Sequence, residues 1–190
     1  MNSILDTIGS FIVAGIIMLL IIASSLNMNS ASVQAIENSL VQTNAAVNSI
    51  IFDYDLYKIG YRVPSNKITL ADSNRIKYKT DFDNNSTIDS IEYKIGLTDD
   101  LYYTTNPHDR IIYKKINNDS YVNMGVVSKF IFSYYDSVGN QLSYQSLSNQ
   151  SNRNLIRMLK ILATFESSDS NYSFDQAINW TKLIRPKNLK

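Results

Sequence analysis

No Asp, Glu, Lys or Arg interrupts the chain between Asp6 and Glu37, and inside that interval the run from Ile8 to Leu26 is almost wholly apolar. About 20 helical residues rise roughly 30 Å, enough to cross the hydrocarbon core of a bilayer. The run therefore predicts a membrane-spanning helix, with Phe11, Ile12, Val13, Gly15, Ile16, Ile17, Leu19, Leu20, Ile21 and Ile22 forming its apolar surface. Beyond it, Val33, Ile36, Leu40, Val47, Ile50 and Tyr54 recur at helical spacing, with Thr43 in the one polar gap and neither Pro nor Gly between them. That periodicity predicts an amphipathic continuation of the same helix, in which Val33, Ile36, Leu40, Val47 and Ile50 pack on a sheet. Lys58, Gly60 and Pro64 supply a last-turn cation, a left-handed cap and a breaker, so the helix is expected to stop near Ile59. Unbroken from Ile4 it would be roughly 85 Å long. Ser24 to Ser32 is its expected weak point, because crowded Ser and Asn side chains compete for backbone hydrogen bonds and favour a bend or frayed turn.

The second half reads as β. Ile76 and Tyr78, then Ile91, Tyr93 and Ile95, alternate at period two on either side of the polar stretch Thr80 to Ser90, which predicts a hairpin with a polar connection. Leu101 to Tyr103, Ile111 to Ile116 and Val126 to Tyr135 follow as expected strands, the last ending in the turn Asp136 to Asn140. An antiparallel meander is the economical topology. The fold class is thus α+β, with residues 1–60 a membrane and amphipathic helix and residues 61–190 one β-rich domain. Leu155 to Phe165 fits either a helix or one strand face, with local spacing favouring the helix. Ser173 followed by Gln176 has the form of a capping box and predicts a short helix before Trp180.

Composition narrows the function classes. The chain has 190 residues and a net charge of +1, with no long basic run, so the electrostatic footprint of a nucleic-acid binder is missing. The absence of Cys excludes disulfides and thiolate chemistry. The leader MNSILDT holds Asp6 but no Lys or Arg, and the apolar run is longer than a secretory core, so an ordinary cleaved signal is not expected.

The most chemical-looking constellation is Asp81, Asp83, Asn85, Thr87, Asp89 and Glu92, at positions 1, 3, 5, 7, 9 and 12 of the calcium-loop pattern. Hard oxygens at alternating positions can converge on one cation, with the carbonyl serving at position 7. Against this, Ser86 stands where Gly normally supplies positive φ, the flanks read as strands, and Glu92 in a regular strand faces solvent. The alternative is a solvated turn, Asp and Asn being common turn formers. His108, beside Pro107, reads as an exposed loop histidine, and Asp53 and Asp55 as solvated surface acids. Tyr102, Tyr103, Tyr134 and Tyr135 offer either a binding face or ordinary core and cross-strand packing. No Gly-rich phosphate loop, CxxC or HExxH occurs, so neither an enzyme nor a small-molecule substrate is expected.

With those pieces in order, the chain resembles the type IV pilin-like superfamily, in particular J-type minor pseudopilins of type II secretion systems and related minor pilins. The resemblance lies in an N-terminal helix ending DYDLYKIGY, then RIKYKTDFDNNSTIDSIEYKIG, LYYTTN, VVSKFIFSYYDSVGNQL and TKLIRPKNL. It implies that Leu155 to Phe165 is a strand and that the last strand lies near Asn179 to Ile184. It also implies a structural subunit of a pseudopilus or pilus-like filament, held by membrane lipid before assembly and partnered by other pilin-like subunits and assembly machinery. The domain would be extracytoplasmic, on a single-pass inner-membrane helix or in a filament. The departure is at the N-terminus. The family carries a basic leader, a processing Gly, then Phe first and Glu fifth, whereas here Gly9 is followed by Ser10, and Ala14 stands fifth. Ala14 cannot neutralise a neighbouring subunit's terminal amine, which argues against a bulk filament subunit. The alternative is a single-pass anchored binding module or adhesin that never enters a filament.

Overall fold

The computed structural model describes residues 2–102, 104–169 and 177–190. Two compact units are present, residues 1–39 and 40–190. The described residues of the first are all helical, and the helix α1 (Asn2–Tyr57) also supplies the first residues of the second. It is the one described helix long and apolar enough to cross a membrane. Its apolar side chains from Ile4 to Met28 are exposed to the surroundings, which suits hydrocarbon rather than water.

The expected frayed turn at Ser24 to Ser32 does not occur, and the segment stays helical. Ser32 Oγ donates to the carbonyl of Met28 at 2.9 Å. A hydroxyl bonded back to the i−4 carbonyl is satisfied within the helix, at a small cost that does not break it here. The stop falls where the sequence places it: α1 ends at Tyr57, and Gly60 takes φ +75°.

The second unit holds two antiparallel sheets. One has the order β1 (Ile68–Ala71), β2 (Arg75–Thr80), β3 (Asp89–Ile95), β4 (Arg110–Ile116), β5 (Val122–Val127), and is a meander. The other has the order β7 (Gln141–Leu142), β6 (Lys129–Tyr135), β8 (Met158–Phe165), β9 (Ile178–Ile184). The short helix α2 (Gln150–Arg153) lies between β7 and β8 in sequence. The expected hairpin is β2–β3, with Ile76 opposite Tyr93 and Tyr78 opposite Ile91. Within Leu155 to Phe165 the strand β8 runs from Met158, with Leu155 in a turn before it, and the last strand is β9, as the resemblance implies.

Three strand expectations need correction. β1 has no counterpart in the sequence reading. Val126 to Tyr135 is not one strand but parts of β5 and β6, which belong to different sheets and are separated at Ser128. Leu101 and Tyr102 are not strand but follow a 3-10 turn at Thr98–Asp100. Tyr103 and the proposed capping box at Ser173 and Gln176 lie outside the described residues.

The core of the second unit is organised by one side of α1. Val41, Ala45, Phe52, Leu56 and Ile59 are buried. The Phe52 ring meets Tyr93 of the first sheet at 5.5 Å and Phe130 and Trp180 of the second at 5.3 and 6.0 Å. Gly125 of β5, at φ +144°, passes so close to α1 that a Cβ there would stand 2.7 Å from Asn48 Nδ2. That approach lets Asn44 Nδ2 donate to the Val126 carbonyl at 3.0 Å, while Asn48 Nδ2 donates to Asn44 Oδ1 at 2.7 Å.

The packing face expected from the sequence is therefore the wrong one. Val33, Ile36, Leu40, Val47 and Ile50 are all exposed, Ile50 by 69%. At 3.6 residues per turn they occupy the side of the helix away from Val41, Ala45, Phe52 and Leu56. The true inner face carries Asn48 and also Asp55, expected at the surface, and the outer face is the more aliphatic.

Candidate functional site: an acidic loop and an uncovered helix face

The connection between β2 and β3 is pinned at both ends, because Thr80 and Asp89 are paired strand residues. Asp81, immediately after β2, is fully buried. Its Oδ2 accepts hydrogen bonds from Arg62 Nη1 at 2.8 Å and from the Ser86 amide at 3.1 Å. Its Oδ1 is buried with no hydrogen-bond donor among the described residues. Asp83 is exposed and accepts from the Asn85 amide at 3.2 Å and Asn85 Nδ2 at 2.8 Å. The Thr87 amide donates to Asn85 Oδ1 at 2.7 Å. Asp89 accepts from the Phe82 amide at 3.0 Å and from Asn117 Nδ2 at 2.8 Å. One carboxylate oxygen each from Asp81, Asp83 and Asp89 lie within 4.8 Å of one another.

Ser86 adopts φ +69°, the left-handed conformation that the sequence argument denied it. Tolerance of that region is uncommon for a residue other than Gly, and here the Ser86 amide is held by Asp81. Glu92 does not belong to the cluster. It lies on the face of β3 opposite Asp89, Ile91 and Tyr93. It is 4% exposed, not solvated, and accepts from Arg75 Nε at 2.7 Å and Tyr121 Oη at 2.6 Å. Burial alone would raise its carboxyl, but Arg75 and Tyr121 outweigh that and hold it below the usual value.

Arg62, and Lys58 beside it, are the loop's charged neighbours that sequence reasoning missed. Lys58 Nζ donates to the Phe82 carbonyl at 2.8 Å. Both come from the chain just after α1, and no local pattern ties them to a loop some twenty residues on.

The second feature is the outer face of α1, where Leu40, Val47, Ile50 and Tyr54 stand exposed, following Val33 and Ile36. Isolated exposed aliphatics are ordinary, but a file of them along one helix side marks a contact surface. Gly9 and Ser10, where the family's processing point would fall, are exposed within α1.

The other singled-out residues resolve without chemistry. His108 is exposed. Tyr134 is buried with its hydroxyl donating to the Asp72 carbonyl, whereas Tyr102 is 91% exposed, so these tyrosines do not share one face. Asp53 and Asp55 are not solvated surface acids. Asp53 pairs with Lys182, and Asp55 is buried against Lys114 Nζ at 2.5 Å and the Tyr93 hydroxyl. Compared with known proteins, the chain matches no family model, no curated protein and no solved structure.

Proposed function

We propose that this chain is a non-enzymatic, pilin-like structural subunit, of the minor pseudopilin or minor pilin kind, that assembles through α1. The supporting observation is the division of that helix. Its first part offers lipid an apolar surface all round. Its later part buries Val41, Phe52 and Leu56 in the β core while leaving Leu40, Val47 and Ile50 uncovered. A helix serving as an anchor alone needs the first property and has no use for the second. In this reading lipid holds residues 8–26 in the inner membrane before assembly, the β domain lies outside the cytoplasm, and the uncovered file packs against helices of other subunits. Ala14, in place of the Glu that would pair with a neighbour's amine, suits a minor position rather than the bulk of a filament.

A photo-crosslinking amino acid at Ile50 tests this in membranes. Subunit packing predicts crosslinks to other helix-bearing subunits, with none from Lys115 on the sheet. Crosslinks to lipid alone, with the unaltered protein extracted as a monomer, would favour an anchored binding module that stays out of filaments.

A further inference from the structure

We infer that the loop from Asp81 to Asp89 is a calcium site, built on three carboxylates rather than the set of side chains that the sequence pattern names. It stands apart from the assembly reading and does not depend on it. Calcium takes oxygen ligands at about 2.4 Å, so two oxygens sharing one ion lie no more than about 4.8 Å apart. Oxygens of Asp81, Asp83 and Asp89 meet that limit mutually. Carboxylates repel at such distances unless a cation joins them.

Clustered acids alone do not make a site. The second observation is the state of Asp81, whose side chain is 1% exposed. Its Oδ1 has lost water and gained no donor in return, a costly condition for an anionic oxygen. Arg62 bonds the other oxygen and is itself 47% exposed, and Lys58 is bonded to the Phe82 carbonyl rather than to a carboxylate, so one half-solvated guanidinium, on Asp81, is the ion pair shown for three carboxylates. A divalent cation would satisfy the bare oxygen and balance the remaining charge together. Asn85 and the Thr87 carbonyl, at alternating positions between Asp83 and Asp89, are the oxygens available to extend the shell, and water completes it. Glu92 takes no part, being committed to Arg75 and Tyr121 on the other side of β3. An all-oxygen, carboxylate-rich loop suits calcium better than magnesium, which demands tight octahedral geometry.

The test is calorimetric titration of the full chain in detergent micelles with calcium chloride, together with thermal unfolding in calcium and in chelator. One ion should bind per chain, and calcium should raise the melting temperature by mass action on the native state. Asp83→Ala, at an exposed position whose hydrogen bonds stay inside the loop, should keep the fold and weaken calcium binding by at least about tenfold. Asp81→Asn should abolish it. Glu92→Gln should leave the calcium affinity unchanged, even if it lowers the melting temperature in both conditions. A flat calcium titration of the unaltered chain would overturn the inference, leaving a solvated turn. An undiminished response in Asp83→Ala would overturn it too, placing the ion elsewhere. Loss of binding in Glu92→Gln would overturn the ligand set, and an equal response to magnesium would overturn the assignment to calcium.

Discussion

Asp55 shows how a single side chain joins α1 to the first sheet. Its carboxylate is buried, with Lys114 Nζ at 2.5 Å and the Tyr93 hydroxyl on the same oxygen, while its carbonyl accepts from the Tyr78 hydroxyl at 3.2 Å. Such a pair costs much to break and little to replace as a unit. Asp55→Ala should therefore destabilise the protein by up to about 3 to 5 kcal/mol, because it strands a largely covered ammonium beside buried hydroxyls. Adding Lys114→Met should restore part of that loss. Urea unfolding of the single and double variants, followed by Trp180 fluorescence, measures both, and equal stabilities would remove the pair from the account. Asp109 poses the opposite case. It is buried, and burial pushes its carboxyl up to about 6, with the nearby Thr104 and Ser168 hydroxyls opposing and Glu166 adding repulsion. A folded value above the unfolded one means that the native state holds the proton longer. Its contribution is complete below about pH 4 and is lost as pH rises through about 6. Asp109→Asn should then flatten the stability profile between those limits and stabilise the protein at pH 8, by no more than about 3 kcal/mol. Thermal unfolding across that range checks the slope, and a variant with the parental slope would assign it to other groups.

Among the elements, those whose signal is local could be read from the chain. The alternation around Ile76 and Ile91 places the β2–β3 hairpin, and Gly60 marks the end of α1. The acidic loop was readable as residues but not as geometry. Positions 81 to 89 converge because β2 and β3 pair, whereas Glu92, three residues further into the strand, is turned away by the pleat. The packing face of α1 was misread because hydrophobicity and burial part company there. Asn48 and Asp55 are both buried, Asp55 with partners far along the chain, and such pairings leave no trace in helical spacing. The division at Ser128 was hidden for a related reason: an apolar run continues while the chain leaves one sheet for the other. The two faces of α1 can be separated by experiment. Phe52→Ala should cost about 3 to 5 kcal/mol of stability as a large core truncation, and Ile50→Ala about 0.5 kcal/mol or less. Association with other subunits should respond in the opposite order per unit of stability lost, with Ile50→Ala reducing crosslinked yield in a fully folded protein. Equal destabilisation by the two changes, read from urea midpoints, would mean that Ile50 is covered after all.

For the whole molecule, the division into residues 1–39 and 40–190 makes the later part of α1 a component of the β domain rather than an appendage to it. Phe52, Leu56 and Ile59 are each fully buried. Burying a large apolar side chain is worth about 1.5 to 3 kcal/mol, so these three together approach the whole stability of an ordinary domain, about 5 to 15 kcal/mol. Removing residues 40–60 would also leave the Lys114 ammonium and the Tyr93 and Tyr78 hydroxyls without the Asp55 groups they now bond. A fragment of residues 40–190 keeps every one of these contacts and should unfold cooperatively in urea, in water without detergent. A fragment of residues 61–190 should not, and should instead show exposed apolar surface and poorly dispersed amide resonances. The comparison isolates the role of the helix, since both fragments lack residues 1–39. A 61–190 fragment with dispersed resonances and a cooperative transition would show that the two sheets hold together unaided, and that α1 rests on a core already formed.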